Sequence, residues 1–500
     1  MTNNYLLGFD IGSSSIKVSI IDSDSGELVS SGFSPETEMK INSPEIGWAE
    51  QNPDEWWQHL VIACNKAINN LKTSNYEIKG IGISYQMHGL VMLDINNNVL
   101  YPSIIWCDSR AVQIGDTTFN DLGADYCLGN CLNSPGNFTA SKLKWVQDNR
   151  PGIYDKIHKI MLPGDYIAFK LSGEINTTLS GLSEGVFWDF KNNQLASEIM
   201  NYYSIDKKLI PDIVPTFDIQ SRLTKEAGNQ LGLSAGIPIS YRAGDQPNNA
   251  FSLNVLRPGE IATTAGTSGV VYGLVDQNSF DKYSRVNSFA HVNYTNETQT
   301  KGVLLCINGT GILYNWLRNE LMKSKDSYDT LNNEAMQIDI GADGVTILPF
   351  GNGAERVLKN KNIGSQILGI NFNKHSSAHI IRAAQEGIAF SFRYGIDIMK
   401  EMGIEVNLMR AGKANMFQSS LFSEAIANSS EATVELYNTD GAQGAARGAG
   451  VGAKVYNSFE EAFVGFTKLE VIEPKKELVD RYGESYENWK NKLKLFLDQN

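Results

Sequence analysis

Asp245 lies near the middle of the 500-residue chain, within residues 242–250, and its carboxylate could act as a general base. A base of this kind takes a proton from an attacking group, and a carboxylate can serve in that role. Gly244 before it and Pro247 after it are equally typical of an ordinary turn, because glycine tolerates unusual backbone angles and proline restricts the residue that precedes it. The local sequence predicts a turn and leaves open whether Asp245 is catalytic or structural.

Two segments rich in glycine and hydroxyl side chains are candidates for binding phosphate. Residues 10–15 lie between apolar runs at 5–9 and 16–20, which predicts a strand, a tight turn and a second strand. The N–H groups of such a turn point into one concavity that suits phosphate, although a polar hairpin has the same pattern. Residues 266–268 have the same setting within 260–272. Because the same strand-turn-strand pattern begins each half of the chain, two related domains are predicted.

Polar residues also follow two other predicted strands in the first half. Residues 86–89 lie between strands predicted at 78–84 and 90–94, and Asp108 and Arg110 follow a strand-like run at 99–106. Ligands in α/β domains usually bind at strand ends, so both segments are site candidates. The alternatives are that His88 is a satisfied core histidine and that Asp108 and Arg110 form a structural ion pair.

The elements that must position these residues can be predicted from capping and periodicity. Asn52 is expected to cap a helix that begins at Pro53 and buries Trp56 and Leu60. Further helices are predicted at 142–148, 164–170, 310–323 and about 377–402, an irregular segment at 211–223, and a strand at 238–242 that leads to Asp245.

Two segments of the second half could lie close to a ligand, although for the second of them helix packing alone explains the pattern. The start of the helix at 310–323 would place Gly311 and Asn315 on one face, and a helix N-terminus favours phosphate. The small residues of 441–450 allow either a ligand or another helix to approach the backbone closely, and they begin the last packed helix.

Composition limits the class of protein. A chain of 500 residues should contain two or more domains, and its 42% apolar and 20% charged residues are those of an ordinary globular protein. The net charge of -13, with no basic cluster, disfavours binding to nucleic acid. A secretory signal and a membrane-spanning run are both missing from the pattern, which favours a cytoplasmic protein. The sequence also lacks the Walker and protein-kinase motifs.

Taken in order, these segments resemble the FGGY carbohydrate kinases. The matching motifs are LGFDIGSSSIKV, GWAEQNPDEWW, QMHG, IIWCDSR, FTASKLKWV, GDQ, AGTSG and AHIIRAAQEG. The resemblance covers nearly the whole chain and implies an α/β fold of two actin-like (ribonuclease H-like) ATPase domains with a nucleotide and sugar cleft between them. Residues 1–243 would form the N-terminal, sugar-binding domain and residues 244–500 the C-terminal, nucleotide-binding domain, with a last helix able to pack back on the first.

The resemblance implies an ATP- and Mg²⁺-dependent kinase that phosphorylates the terminal hydroxyl of a ketopentose, with D-xylulose as the first candidate. A kinase of ribulose, gluconate or glycerol, or a non-enzymatic actin-like nucleotide switch, is the alternative. The QMHG segment and Trp106, which looks buried, argue against the switch. The expected partners are the sugar and ATP, without nucleic acid or membrane, and the chain could form a homodimer.

The resemblance also assigns roles to residues. Asp245 would be the base, and Asp10 would hold Mg²⁺ through water. The sugar would contact Gln86, Met87, His88, Trp106, Asp245 and Gln246. ATP would contact Gly12, Ser13, Ser14, Lys17, Gly266, Thr267 and Ser268, with Gly311, Asn315, Gly412 and Asn415 on the adenosine side.

Three departures from the family pattern bear on the sugar more than on the reaction. Gln246 stands where ketopentose kinases usually have asparagine, and residues 353–357 keep the Glu and Arg of the usual G-E-R-T-P loop without its Thr and Pro. The glycine-rich adenosine loop is reduced to residues 410–413. Glycerol is disfavoured, because Met87 and His88 replace the Arg-Glu pair of glycerol kinases.

Overall fold

The structure, a computed structural model, describes residues 2–498. The strands of the first half are β1 (Asn3–Ile11), β2 (Ile16–Asp22), β3 (Leu28–Ser34), β4 (Glu50–Gln51), β5 (Tyr76–Tyr85), β6 (Val91–Leu93), β7 (Ser103–Ile104), β8 (Lys159–Met161), β9 (Asn176–Thr178), β10 (Trp188–Asp189), β11 (Gln194–Leu195), β12 (Asp212–Val214), β13 (Phe217–Arg222) and β14 (Pro238–Gly244). Its helices are α1 (Pro53–Asn69), α2 (Val112–Leu122), α3 (Ala124–Cys131), α4 (Thr139–Asn149), α5 (Pro151–Tyr154), α6 (Pro163–Ser172), α7 (Leu179–Glu184), α8 (Ser197–Tyr202), α9 (Lys225–Leu231) and α10 (Asp245–Ser252).

The second half has the same kind of content. Its strands are β15 (Ile261–Ala265), β16 (Gly269–Val275), β17 (Asn287–Ala290), β18 (Lys301–Ile307), β19 (Thr346–Leu348), β20 (Gln366–Leu368), β21 (Leu408–Gly412), β22 (Thr433–Tyr437) and β23 (Lys468–Ile472). Its helices are α11 (Gly311–Trp316), α12 (Tyr328–Met336), α13 (Ser377–Glu401), α14 (Ser420–Ser430), α15 (Gly441–Gly452), α16 (Phe459–Ala462) and α17 (Lys476–Leu497).

The two large sheets share a six-strand topology, and the second sheet has one additional edge strand, β17. The first has the order β13-β14-β5-β1-β2-β3, and the second has the order β17-β18-β16-β15-β21-β22-β23. Each sheet contains a hairpin, β1-β2 or β15-β16. Next to the first strand of the hairpin lie two successive parallel strands, followed by an antiparallel edge strand. The duplication predicted from the two glycine and hydroxyl turns is therefore confirmed by the fold.

Several predicted elements are confirmed in detail. Asn52 caps α1 by accepting the Asp54 N–H, and Trp56 and Leu60 are fully buried on its inner face. The long helix α13 and the strand β14 also lie where the pattern predicts them.

Three local predictions were wrong. Residues 211–223 are not irregular, because β12 and β13 lie there despite the prolines, whose missing N–H groups are tolerated at the ends of strands. The apolar run at 99–106 contains only the two-residue strand β7. The helix predicted at 310–323 is α-helical only in α11 and continues as a π-helical turn at Leu317–Leu321.

Helix α15 belongs to the second half of the chain but packs on the first sheet. A Cβ atom added to Gly8 would lie 1.9 Å from the Ala442 carbonyl oxygen, and one added to Gly82 would lie 1.9 Å from that of Ala445. The last helix, α17, instead buries Trp489 in the core of the second half. The helix that begins at residue 441 therefore packs back on the first sheet as expected, although α16 and α17 follow it. The predicted division at residues 243 and 244 stays a prediction.

No helix within residues 2–498 combines the length and the apolar character that a membrane span requires.

Candidate active site

Asp245 lies where the first sheet meets the cleft, but it does not lie in a turn. Strand β14 ends at Gly244 and α10 begins directly at Asp245, so the turn prediction was wrong. In the sheet, Gly244 is level with Tyr85 of β5, and Tyr85 is level with Ile11 of β1. The carboxyl ends of three neighbouring parallel strands therefore bring Asp245, the QMHG segment and the first glycine and hydroxyl turn to one edge, where α/β proteins bind ligands.

The environment of Asp245 suits a base that works near neutral pH. Burial raises the pKa of its carboxyl to about 7, and the negative charge of Asp10 adds to the shift. Hydrogen bonds from Gln246 oppose the change without cancelling it. A base is most effective when its pKa lies near the working pH, because it is then both ionised and basic.

Asp10 is the second carboxylate of this site. It accepts a hydrogen bond from Ser84 Oγ at 2.9 Å and stands opposite Lys17 in the β1-β2 hairpin. Burial raises its pKa, whereas Ser84 and the charge of Lys17 lower it. A Cβ atom added to Gly441, at the start of α15, would lie 2.7 Å from Asp10 Oδ2, so a larger residue would clash with this carboxylate.

The carboxylates fit a magnesium ion that is held mostly by other ligands. Among residues 2–498, no group of three or more His, Cys, Asp or Glu side chains is arranged to hold a metal ion. Mg²⁺ usually keeps several waters and takes one or two carboxylates together with substrate phosphates. Asp10, with Asp245 close enough to be affected by its charge, meets that requirement.

The orientation of Gln86 is set by a chain of hydrogen bonds. Trp56 Nε1 donates to Gln51 Oε1 at 3.0 Å, and Gln51 Nε2 donates to the Ser13 carbonyl oxygen at 2.7 Å. Since the Trp56 indole can only donate, the group of Gln86 that meets Gln51 Oε1, at 3.3 Å, is its Nε2. Its Oε1 is left buried without a protein partner, as is Oε1 of Gln246. Both side chains line the cleft, so these two acceptors fit the hydroxyl groups of a sugar.

His88 is a neutral histidine that lines the cleft. Its backbone has a positive φ of 61°, and its Nδ1 lies 2.9 Å from the Glu184 carbonyl oxygen. Burial, and then the charge of Lys142, lowers the pKa of His88 to about 3. Because a carbonyl oxygen can only accept, Nδ1 carries the proton and Nε2 remains an acceptor. His88 therefore has the hydrogen bond of a satisfied core histidine and also an acceptor that is free for a ligand.

Two buried ionisable residues that the sequence did not indicate for the site support His88. Lys142 Nζ donates to the carbonyl oxygens of His88 and Ile105, each at 2.9 Å, and burial lowers its pKa to about 7. The Glu184 carboxyl lies behind Gly244, and burial and then the charge of Asp245 raise its pKa well above the usual range. Lys142 stood in the motif FTASKLKWV, which could have indicated it. Glu184 had no local sequence pattern.

The segment that follows β7 contains a residue that lines the cleft, Trp106, and a structural ion pair, Asp108 and Arg110. Trp106 is 49% exposed, so the expectation that it is buried was wrong, and its Nε1 donates to Ser13 Oγ at 3.2 Å. Arg110 is buried between Asp108 at 2.7 Å and Glu50 at 2.9 Å. For Asp108 and Arg110, the alternative of a structural ion pair is confirmed.

The predicted site residues are distributed over two adjoining clefts. The first has a volume of about 570 Å³ and is lined by Asp10, Gly12, Ser13, Ser14, Lys17, Gln86, Met87, His88, Trp106, Asp245, Gln246 and Ser268. The second has a volume of about 490 Å³ and is lined by Gly266, Thr267, Gly311, Asn315 and Asn415. One turn, residues 266–268, contributes to both, so a ligand in the second cleft can reach into the first.

One expectation for the nucleotide side was wrong. The first N–H groups of α11 do not face a phosphate, because Gly311 donates to the Gly266 carbonyl oxygen at 2.9 Å and Ile312 donates to that of Thr267 at 3.2 Å. Gly412 ends β21, and a Cβ atom added to it would lie 3.4 Å from the Thr439 carbonyl oxygen. Its contact with the nucleotide stays a prediction.

The second cleft also contains polar groups that the sequence did not indicate. Asn332 Oδ1 accepts from Tyr314 Oη at 2.6 Å and from Gln385 Nε2 at 2.8 Å, while Gln385 Oε1 accepts from Ser419 Oγ at 2.6 Å. Tyr314, Asn332 and Ser419 line the cleft. Three different elements carry them, which is why no local motif predicted this network.

Two sheets of related topology, each with a glycine and hydroxyl hairpin, together with the carboxylates of Asp10 and Asp245 in the cleft, define a sugar kinase of the actin-like (ribonuclease H-like) ATPase fold. Models of the FGGY family of carbohydrate kinases match the chain, the N-terminal domain at residues 5–252 and the C-terminal domain at residues 261–453. The chain belongs to the FGGY family of carbohydrate kinases.

Individual relatives agree with this membership. A xylulose kinase of Staphylococcus xylosus is 27% identical over 465 residues, which cover 91% of this chain and 92% of the relative. A xylulose kinase of Haemophilus influenzae is 29% identical over 416 residues, or 81% of each chain. The fold matches that of a ligand-bound xylulose kinase from Lactobacillus acidophilus with a TM-score of 0.89 at 19% identity, over 98% of both chains.

Proposed function

We propose that this carbohydrate kinase transfers the γ-phosphate of ATP to the terminal hydroxyl of a ketopentose, with D-xylulose as the preferred substrate. The single observation that carries the proposal is the position of Asp245. Its carboxyl, with a pKa of about 7, lies at the edge of a cleft that also contains the acceptors of Gln86, His88 and Gln246. The names of the relatives support the choice of sugar.

In this proposal the chain acts mainly by positioning. Asp245 accepts the proton of the terminal hydroxyl as that oxygen attacks phosphorus, and His88 Nε2 and the amide oxygens of Gln86 and Gln246 fix the rest of the sugar. Phosphoryl transfer needs little beyond orientation and charge neutralisation, so such contacts account for much of the catalysis.

ATP would occupy the second cleft and extend its phosphates past residues 266–268 toward residues 12–14. When bound, Mg²⁺ would neutralise phosphate charge, and Asp10 is the residue that would hold it. Lys17 lines the first cleft next to Asp10 and would add a positive charge there. A cytoplasmic location and a homodimer are part of the proposal for the whole protein.

The proposal is tested by measuring ADP release in a coupled assay with D-xylulose, ribulose, gluconate, glycerol and a pentitol. We expect D-xylulose to have the highest kcat/KM. Asp245→Asn should lower kcat by about 10²- to 10⁴-fold, because a positioned base contributes about that much, and it should leave ATP binding intact. Asp155→Asn, on an exposed residue remote from both clefts, is the matched control.

Each part of the proposal has its own contrary result. A higher kcat/KM with another sugar would contradict the choice of D-xylulose. Full turnover by Asp245→Asn would place the base elsewhere. ADP release that no sugar stimulates would contradict the sugar kinase activity itself.

A further inference from the structure

Arg356 is a cation in the first cleft that forms no salt bridge within the described residues, although the charge of Asp116 acts on it. Arg110, Arg242, Arg285, Arg382 and Arg410 each pair with a carboxylate, whereas Arg356 forms no ion pair within residues 2–498. Its Nη1 donates to Asn287 Oδ1 at 2.7 Å, and the side chain lines the first cleft. A guanidinium carries several N–H donors and no acceptor, so most of its hydrogen-bonding capacity is available to a ligand.

The loop that carries Arg356 is fixed by its neighbour. The Glu355 carboxyl is fully buried, and its two oxygens accept the Asn308 N–H at 3.1 Å and 3.2 Å. Asn308 Nδ2 in turn donates to the Ala354 carbonyl oxygen at 3.1 Å. These bonds join the loop to the end of β18. A cation held on such a loop costs less entropy to order around a ligand than a mobile surface side chain does.

Arg356 reaches the first cleft from the side of β17 and of the first half of the chain. Asn287 lies on β17, and β18 separates that strand from β16, which follows the turn at residues 266–268. Two strand spacings, about 10 Å, therefore lie between β16 and β17, the strand whose Asn287 accepts a hydrogen bond from Arg356. On its other side the guanidinium faces Phe138 of the first half, 6.0 Å from the ring centroid, and that ring packs against His88. Arg356 thus lies in the first cleft on the side of His88, and Cys306, which also lines this cleft, is affected by the charges of both Arg356 and Asp245.

We propose that Arg356 is a specificity-determining residue that binds the α-hydroxyketone end of the sugar, opposite the hydroxyl that Asp245 activates. The inference rests on the proposed phosphorylation of a ketopentose. Two N–H groups of a guanidinium are parallel and suit two acceptor atoms at once. In a 2-ketose the C2 carbonyl oxygen and the C1 hydroxyl oxygen are on adjacent carbons, so one fork can bind both.

The test compares two sugars in one variant. D-xylulose and 1-deoxy-D-xylulose differ only in the C1 oxygen, and their kcat/KM ratio is measured in the unaltered chain, Arg356→Met and Arg356→Lys. We expect the unaltered chain to prefer D-xylulose by about 10-fold or more, because a hydrogen bond to a charged group is lost with the deoxy sugar. The ratio should fall close to one in Arg356→Met. In Arg356→Lys it should lie between the ratio of the unaltered chain and that of Arg356→Met. If Arg356 contacts the C1 oxygen, removing one of the two groups should abolish the effect of removing the other, because the effects of contacting groups are not additive. A general loss of fit would instead lower kcat/KM equally for both sugars.

Arg222→Met is the control, because it removes an exposed cation that donates to the Gly236 carbonyl oxygen outside the sugar cleft. An unchanged sugar ratio in Arg356→Met would overturn the inference, and so would a defect limited to the KM for ATP, which would place Arg356 on the phosphates. Failure of the unaltered chain to phosphorylate D-xylulose would instead overturn the proposed function, and the inference with it.

Discussion

At the scale of single residues, the position that suits Asp245 to catalysis also works against folding. Its pKa rises from 3.8 to about 7, because the folded protein desolvates the carboxylate and places it near Asp10. Ionisation is therefore less favourable in the folded chain than in the unfolded chain. The cost is absent below about pH 3.8, grows as the pH rises, and is complete above about pH 7.

Asp245→Asn should consequently stabilise the protein in a pH-dependent way. At about pH 8, without Mg²⁺ or nucleotide, we expect a higher unfolding midpoint for the variant, with an upper limit of about 4 kcal/mol from the change in pKa. Water in the cleft will make the measured gain smaller. At about pH 4 the two proteins should unfold at nearly the same temperature. Thermal unfolding at both pH values measures this, and equal midpoints at pH near 8 would show that the Asp245 carboxyl is not perturbed.

At the scale of elements, the contact between α15 and the first sheet depends on backbone approaching backbone. Gly8 and Gly82 lie on the sheet, and the carbonyl oxygens of Ala442 and Ala445 occupy the space that a side chain would need. On the helix side, a Cβ atom at Gly448 would lie 2.5 Å from the Tyr241 ring. The small residues of α15 thus serve helix packing, and at Gly441 they also serve the approach to Asp10.

Gly82→Ala should destabilise the protein, because its Cβ would lie 1.9 Å from the Ala445 carbonyl oxygen. Overpacking of this kind costs about 1–3 kcal/mol, and in a chain of this size we expect the unfolding midpoint to fall by about 1–3 °C. Gly129→Ala in α3 is the matched control, since nothing lies within 4 Å of the added atom. It should leave the midpoint unchanged or raise it slightly, because alanine favours the helix. A similar midpoint for both variants would mean that α15 can move away from the sheet.

At the scale of the whole molecule, the two halves are joined at more than the cleft. Asn133 of the first half exchanges hydrogen bonds with Ser288 of β17 at 2.7 Å and 2.9 Å. One apolar cluster contains Leu6, Tyr241 and Phe251 of the first half together with Ala445 and Ala446 of α15. The first sheet therefore depends on a helix that is synthesised some 200 residues later.

Fragments 1–253 and 254–500 should fail to fold when each is produced alone. In fragment 1–253 the apolar cluster over Leu6, Tyr241 and Phe251 would be exposed, so we expect aggregation or strong binding of a hydrophobic dye. Co-expression should give a soluble complex, because α15 can then cover that face. A soluble, monomeric fragment 1–253 that unfolds cooperatively would contradict this dependence and would support independent domains.

The sequence alone determined the two hairpin turns, the helix α1 with its cap, the candidate base Asp245 and, through ordered motifs, the family. These features are encoded by residues that are neighbours along the chain, where turn chemistry and periodicity act directly. Asp245 itself was predicted in a turn and lies at the start of α10, because a glycine before an acidic residue is typical of both settings.

Only the tertiary structure decided which polar residues work together. The shifted pKa of Asp245 comes from burial and then from the charge of Asp10. The Glu355 carboxyl that fixes the Arg356 loop accepts from Asn308, and Glu184 supports His88. The tertiary structure also decided that Asp108 and Arg110 form a buried ion pair and that α15 covers the first sheet. Burial and the distance between charges depend on residues far apart in the chain, so no local pattern could have determined them.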